Sequence, residues 1–308
     1  MGRDMGRGKS IVRTIIIHEE GIMACRASEQ AQQERQDKLD ALMGRLEREL
    51  VGLTNDPAAW KRWLDGQAKF HKYSFGNCLM ILFQRPDATV VAGYRRWQEL
   101  GRQVRAGERG ITIMMPRLVK DRNDPDGSKI LAGFMGGTVF DIAQTDGEPI
   151  GADRELQTND NVRLLDALTE LVVHDGLSVE REDLGMAQGM TDGKRIVLRD
   201  GMAIDMQASV MAHELAHVRL HHIGDHDVPT NVKELEAESV SYVVCQALGL
   251  DTGSAAIPYL GVWTGITPEN KDEVVGQLKA CTARIAGTAK KILEEIESAM
   301  GQNEEMAA

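Results

Sequence analysis

The chain is poor in aromatic residues, at 4% of 308 positions, and has only eight prolines and four cysteines; its longest apolar run is Cys78 to Phe83. A membrane-spanning helix needs about 18 or more consecutive apolar residues, so none is expected. The cysteines, Cys25, Cys78, Cys245 and Cys281, lie far apart and form no CxxC pair. No secretory signal precedes them. This spacing excludes a disulfide framework and a cysteine-based zinc finger, and it favours reduced thiols in a cytoplasmic protein. What is abundant is ordinary: 42% hydrophobic and 27% charged residues exclude global disorder, collagen and coiled coil. At roughly 100 to 200 residues per domain, the length predicts two domains.

The net charge of −11 is unevenly spread. Residues 51–120 hold 12 Lys+Arg against 5 Asp+Glu, or +7, which leaves −18 for the rest. Eight of the thirteen aromatics share that stretch: Trp60, Trp63, Phe70, Tyr73, Phe75, Phe83, Tyr94 and Trp97. A basic, aromatic-rich module that meets a polyanion, beside an acidic remainder, is the organisation this implies.

Residues 1–27 show no periodicity and are expected to be disordered or to hold a mis-annotated start, with translation beginning at Met23. Leu39, Leu42, Leu46 and Leu50 step by three and four, predicting an amphipathic helix from about Ser28 to Leu53. Asp56-Pro57 opens a second helix and Tyr73 to Gln84 reads as a third. A short strand (Thr89 to Val91), a helix at Tyr94 to Leu100, a hairpin of Gln103 to Arg105 with Ile111 to Met115, a loop at Asp121 to Lys129 and a returning strand at Phe134 to Ile142 complete the module. Asp, Gly and Pro gather at Gln144 to Glu155, where a linker is expected. Beyond it the pattern predicts a helix (Asp160 to His174), a strand (Ser178 to Glu182), a hairpin turning at Thr191-Asp192-Gly193 into Arg195 to Arg199, and helices at Asp205 to His222, Asn231 to Leu248 and Pro268 to Met300.

The sharpest chemical signal is His213-Glu214-Leu215-Ala216-His217. On a helix, residues i and i+4 share a face, so two imidazoles can chelate one ion while the Glu projects beside a bound water. Zinc held by two His and a Glu keeps an open position, and the neighbouring Glu can serve as general base. The next helix carries Glu234 and Glu238, again at i and i+4. One could bind the metal and the other orient an imidazole. Glu236 falls on the opposite side. His221, His222 and His226 are read as helix-end and loop residues, Cys245 as core, and Tyr242 as a possible hydrogen-bond donor to the transition state.

In the basic module, Lys61, Arg62, Lys69, Lys72, Arg85, Arg95, Arg96, Arg102, Arg105 and Arg109 are interleaved with rings. Cations that track phosphates and rings that stack on unpaired bases are how single-stranded nucleic acid is held.

Several of these stretches resemble one family in order. Tyr73-Ser74-Phe75-Gly76-Asn77-Cys78-Leu79, Gln84-Arg85-Pro86-Asp87-Ala88, Trp97-Gln98-Glu99-Leu100-Gly101-Arg102 and Val104 to Ile111 are similar to the N-terminal, single-stranded-DNA-binding domain of ArdC-like antirestriction proteins. Phe140-Asp141-Ile142-Ala143-Gln144-Thr145 looks like the strand that ends that domain. The stretches HELAHVRLHH and ELEAES look like the zincin-type metallopeptidase domain of the ImmA/IrrE group. The resemblance covers roughly residues 30–262. It implies His213, His217 and Glu234 as zinc ligands, Glu214 as general base and Glu238 behind a ligand, with Tyr73, Asn77 and Trp97 joining the ten cations on DNA. Relatives carry Lys-Gly-Glu-Lys-Gly where this chain has Ala106-Gly107-Glu108-Arg109-Gly110, one cation fewer.

The expected fold class is therefore α+β in two domains: a small basic α+β DNA-binding domain at 28–145 and a mostly helical zincin-like domain with a short sheet at 156–265. A linker at 146–155 joins them, and a C-terminal helix occupies 266–308. The leading functional expectation is a single-stranded-DNA-binding, zinc-dependent metallopeptidase of antirestriction or mobile-element type, with a possible protein substrate and no membrane partner. Its rivals are a DNA-coating protein with a structural zinc and a regulatory protease that cuts a repressor.

Overall fold

The computed structural model describes residues 33–34, 36–53, 56–120, 128–149, 161–224, 227–250 and 270–307. The segment 1–27, most of the predicted 121–129 loop, the later part of the linker, His226, Cys25 and residues 251–269 lie outside them. Helices and small sheets are mixed, in keeping with an α+β class. The chain forms two compact units, Met1–Arg45 with Thr112–Gly137, and Leu46–Ile111 with Thr138–Ala308. The expected boundary near residue 146 is not where the chain divides.

In the first unit, the described part of helix α1 (36–53) that belongs here is stabilised by i,i+4 hydrogen bonds such as Gln36 to Asp40 at 2.9 Å. The same unit holds the outer arms of strands β3 (Ile111–Lys120) and β4 (Lys129–Asp141). Gly137 lies so close to Met115 that a Cβ there would sit 2.2 Å from its sulfur. Leu118, Leu131 and Phe134 are exposed on these arms.

The second unit starts from well-capped helices. Helix α2 (Pro57–Lys69) has Asp56 as N-cap, accepting from Ala58 N at 2.9 Å, with proline in its first turn. Helix α3 (Phe75–Gln84) is capped by Ser74. Trp60 and Trp63 from α2 are fully buried and meet edge to face at 4.7 Å, and Trp63 meets Phe75 at 5.0 Å. Strand β1 (Val91–Gly93) and helix α4 (Tyr94–Glu99) follow, and β1 pairs antiparallel with the end of β4, Val91 opposite Asp141.

Two expectations fail in this region. Strand β2 (Arg102–Val104) does not form a hairpin with β3; it pairs with β5 (Thr145–Gly147), which lies in the stretch read as linker. A Gly- and Asp-rich composition is compatible with an edge strand when a distant partner supplies the hydrogen bonds. Asp141, 1% exposed, fixes the corner before β5: it caps a 3₁₀ turn in a reciprocal capping box with Gln144 and accepts from Thr89 N at 2.7 Å.

Helix α5 (Asn161–His174), strands β6 (Ser178–Glu182), β7 (Gly189–Thr191) and β8 (Arg195–Arg199), and helices α6 (Ile204–Arg219), α7 (Thr230–Ala247) and α8 (Lys271–Ala307) form the remainder. The sheet order is β6-β8-β7, with β6 parallel and β7 antiparallel to β8. The β7–β8 turn is the predicted Thr191-Asp192-Gly193, with Gly193 at φ 82 and Asp192 accepting from Lys194 N at 2.9 Å. Helix α6 packs between α5 and α7 and against β7 and β8. Helix α2 packs on α7, joined by Trp60 Nε1 donating to Ser239 Oγ at 3.2 Å, so the tryptophan helix and the motif helices share one core. Helix α8 covers α7 and α5, with Leu278, Ile285, Ile292 and Ile296 buried.

Candidate metal centre and catalytic cleft

Helix α6 places His213 and His217 one turn apart, and α7 brings Glu234 to them. One ligand atom from each of these three residues lies within 4.8 Å of the others. The two imidazole Nε2 atoms are 3.0 Å apart, and Glu234 stands 3.5 Å from His213 Nε2 and 3.6 Å from His217 Nε2. Two nitrogen lone pairs at that separation repel unless a proton or a cation lies between them. The donor set, two imidazoles and a carboxylate, suits a divalent ion such as zinc and leaves room for a further ligand.

The electrostatics follow from this crowding. Burial opposes charge on His213, but hydrogen bonds to Glu234 and Glu238 outweigh it and raise its pKa to about 9. Glu234, facing both imidazoles, is held well below the usual carboxylate range. Burial pushes Glu214 upward. Glu238 Oε2 lies 3.1 Å from His213 Nδ1, the position expected of a carboxylate behind a ligand.

These residues line a cleft of about 950 Å³, with Gln188, Gly189 and Met190 of the β7 side opposite α6. A Cβ on Gly189 would lie 2.4 Å from Val210 Cγ1 and 3.0 Å from Glu214 Oε1, so only glycine lets this strand approach Glu214 so closely. Sequence gave no signal for it. The edge of the sheet beside the cleft is β7, and Arg195–Arg199 is the central strand β8.

One other expectation is corrected here, and one is refined. The Tyr242 hydroxyl hydrogen-bonds Asp65 of α2 at 2.5 Å and is absent from the cleft lining, so it is no donor to a reacting group. Its i+4 register with Glu238 is overridden by the packing of α2 on α7. His222 does stand at the end of α6, as expected, but it is buried. His221 adopts a left-handed backbone (φ 57), and His221 N bonds Val218 O and His222 N bonds His217 O, both at 3.0 Å. That reversal folds His222 beneath His217, Nδ1 to Nδ1 at 2.9 Å, and onto Glu236 Oε2 at 3.0 Å. Glu236 does lie away from the cleft, as expected, but it is fully buried. Cys78, Cys245 and Cys281 are free and buried; burial pushes the Cys245 thiol up to about 12, which makes it inert core.

Residues 31–157 match the model of the N-terminal domain of anti-restriction factor ArdC. The chain is ArdC-like over those residues. It is 25% identical to the uncharacterized protein pXO2-81 of Bacillus anthracis, over 91% of this chain and 55% of that protein, so it spans about half the length of the curated relative it matches. Among solved structures it is similar to the antirestriction ArdC protein from the R388 plasmid. The metal-free crystal structure is 22% identical, covers 73% of this chain and 85% of that one, and has a TM-score of 0.42. The Mn(II)-bound structure is 20% identical, covers 84% and 96%, and has a TM-score of 0.49.

In the ArdC-like region, the predicted DNA-contacting residues divide by burial. Trp97 is fully buried with its indole N–H on Phe140 O at 2.9 Å, so it cannot stack on a base. Arg102 is 9% exposed, and its guanidinium is spent on Thr145 Oγ1 at 2.7 Å, Gly147 O at 2.9 Å and the Glu148 carbonyl. Both belong to the fold. Tyr73 is half-buried and donates to Val91 O, and Asn77 and Arg85 are half-buried. Lys61, Arg62, Lys69, Lys72, Arg95, Arg96, Arg105 and Arg109 are exposed. Several of these meet acids at the surface: Lys61 with Asp65, Arg62 with Asp56, Lys72 with Glu297, Arg96 with Glu99 and Arg105 with Glu108. Such exposed pairs contribute little and exchange readily for phosphate.

Proposed function

We propose that this ArdC-like chain is a DNA-associated, zinc-dependent peptidase of antirestriction type. Its exposed cations would engage single-stranded DNA, and the α6–α7 cleft would hydrolyse a peptide bond. The observation that supports it most is the convergence of His213, His217 and Glu234 in one cleft with Glu214 beside them. His213, His217 and Glu234 would hold the ion. When bound, it would supply Lewis acidity to the scissile carbonyl and make an attacking water more acidic. Glu214, raised by burial, accepts the proton from that water and returns it to the leaving amine. Edge strand β7 is where an extended peptide would lie by strand addition, beside Glu214. The DNA residues that fit this reading are the exposed ones, Lys61, Arg62, Lys69, Lys72, Arg95, Arg96, Arg105 and Arg109, without Trp97 and Arg102.

The test is Glu214→Gln in the full chain. Metal content and DNA binding should persist while any peptidase rate falls by about 10² to 10⁴. Antirestriction activity that survives unchanged in this variant would point to DNA coating in place of proteolysis.

A further inference from the structure

The hydrogen-bonded chain behind His217 has no part in the chemistry so far. His217 presents Nε2 to the cleft, and its Nδ1 meets His222 Nδ1 at 2.9 Å. His222 Nε2 meets Glu236 Oε2 at 3.0 Å, while the other oxygen of Glu236 accepts from Arg284 Nε of α8 at 3.0 Å. His222 is 6% exposed and Glu236 fully buried, so water does not compete for these bonds.

One proton per bond sets the direction of the chain. A carboxylate only accepts, so His222 donates from Nε2. A neutral imidazole that donates from one nitrogen accepts at the other, so His222 Nδ1 is an acceptor. The donor facing it must be His217 Nδ1–H, which leaves the lone pair of His217 on Nε2, towards Glu234 and His213. Glu238 does the same for His213 directly, at 3.1 Å. One imidazole thus receives its carboxylate directly and the other receives it through a second imidazole.

We propose that His222, Glu236 and Arg284 are positioning residues which hold His217 in its metal-ligating tautomer, and that helix α8 thereby controls the metal affinity of a centre it does not line. The proposal rests on the reading of His213, His217 and Glu234 as ligands. Arg284 occupies Oε1 of Glu236, leaving Oε2 for His222. Three donors reach Glu236, the Cys281 thiol beside His222 and Arg284, and the two strong ones need two acceptors. A glutamine has only one, so Glu236→Gln must either lose Arg284 or turn an N–H towards His222. The second choice inverts both imidazoles and puts the His217 proton where the ion belongs.

The experiment is metal competition against a chelator on the full chain, with thermal melting in parallel. Glu236→Gln should lower metal affinity by roughly 10- to 100-fold, the usual effect of removing such support. His222→Phe, which cannot accept a proton, should lose as much. His222→Gln, whose amide oxygen can accept from His217, should recover part of it. The control is Glu295→Gln, which breaks a different tie of α8, Arg219 Nη2 to Glu295 Oε2 at 2.8 Å, and should shift melting but leave affinity unchanged. Wild-type affinity in Glu236→Gln, or affinity that merely follows melting temperature across all four variants, overturns the proposal. Metal retained by His217→Ala would instead overturn the ligand assignment on which it stands.

Discussion

Raising the pH should tighten metal binding steeply, because a proton occupies the site when no ion does. In the ion-free protein His213 faces Glu238 at Nδ1, 3.1 Å away, and Glu234 at Nε2, 3.5 Å away, and its pKa is raised from 6.5 to about 9. An ion can use only the unprotonated Nε2, so every binding event below that pKa releases a proton. Apparent affinity should then rise about tenfold per pH unit, or about 100-fold between roughly pH 6.5 and 8.5, equivalent to about 2.7 kcal/mol. Stability of the ion-free form runs the other way: a raised pKa stabilises below 6.5, and that contribution fades as pH rises through about 9. Glu238→Gln removes one of the two charges that hold the proton, so affinity should level off at lower pH. Chelator competition at constant ionic strength measures this, with denaturant unfolding of the ion-free form beside it. A flat affinity over that range would show that His213 is unprotonated in the empty site, and the electrostatic reasoning would fail.

Three more outcomes are expected. Gly189→Ala should force β7 away from Val210 and Glu214, leaving metal content intact while reducing peptidase turnover; unaltered turnover would show that the contact is dispensable. Trp60→Ala removes a fully buried ring and its bond to Ser239 and should cost about 3 to 5 kcal/mol in urea unfolding, with the loss shared by the metal centre because α2 packs on α7. Replacing exposed Lys69, Arg95 or Arg109 by Gln should weaken single-stranded DNA binding and reduce its salt slope by about 1 each, whereas Arg102→Gln should act through stability; equal slopes for all four would remove the exposed cations from the interface.

Much of the fold was legible wherever one helix or one turn carries the information. The cap at Asp56, the Asp192-Gly193 turn and the approximate extents of α6 and α7 follow from local periodicity and short side-chain-to-backbone bonds. Strand pairing was harder. By spacing β2 could equally face β3 next to it in sequence or β5 some 40 residues on, and the distant partner is held by the backbone ladder together with Arg102 bonded to Thr145 and Gly147 and Arg105 bonded to Asp146.

The metal constellation shows the same division within a single site. His213 with His217, and Glu234 with Glu238, share helix faces because 3.6 residues complete a turn, so residue spacing alone selects which side chains can converge. Tertiary structure decided what stands behind and around them. It turned Tyr242 towards Asp65, seated Trp97 and Arg102 in the fold, admitted Gly189 against Glu214, and ran His217 through His222 and Glu236 to Arg284, 67 positions along the chain from His217. Those pairings depend on which helices are neighbours, a matter settled by the burial of whole faces and left open by residue spacing along any one of them.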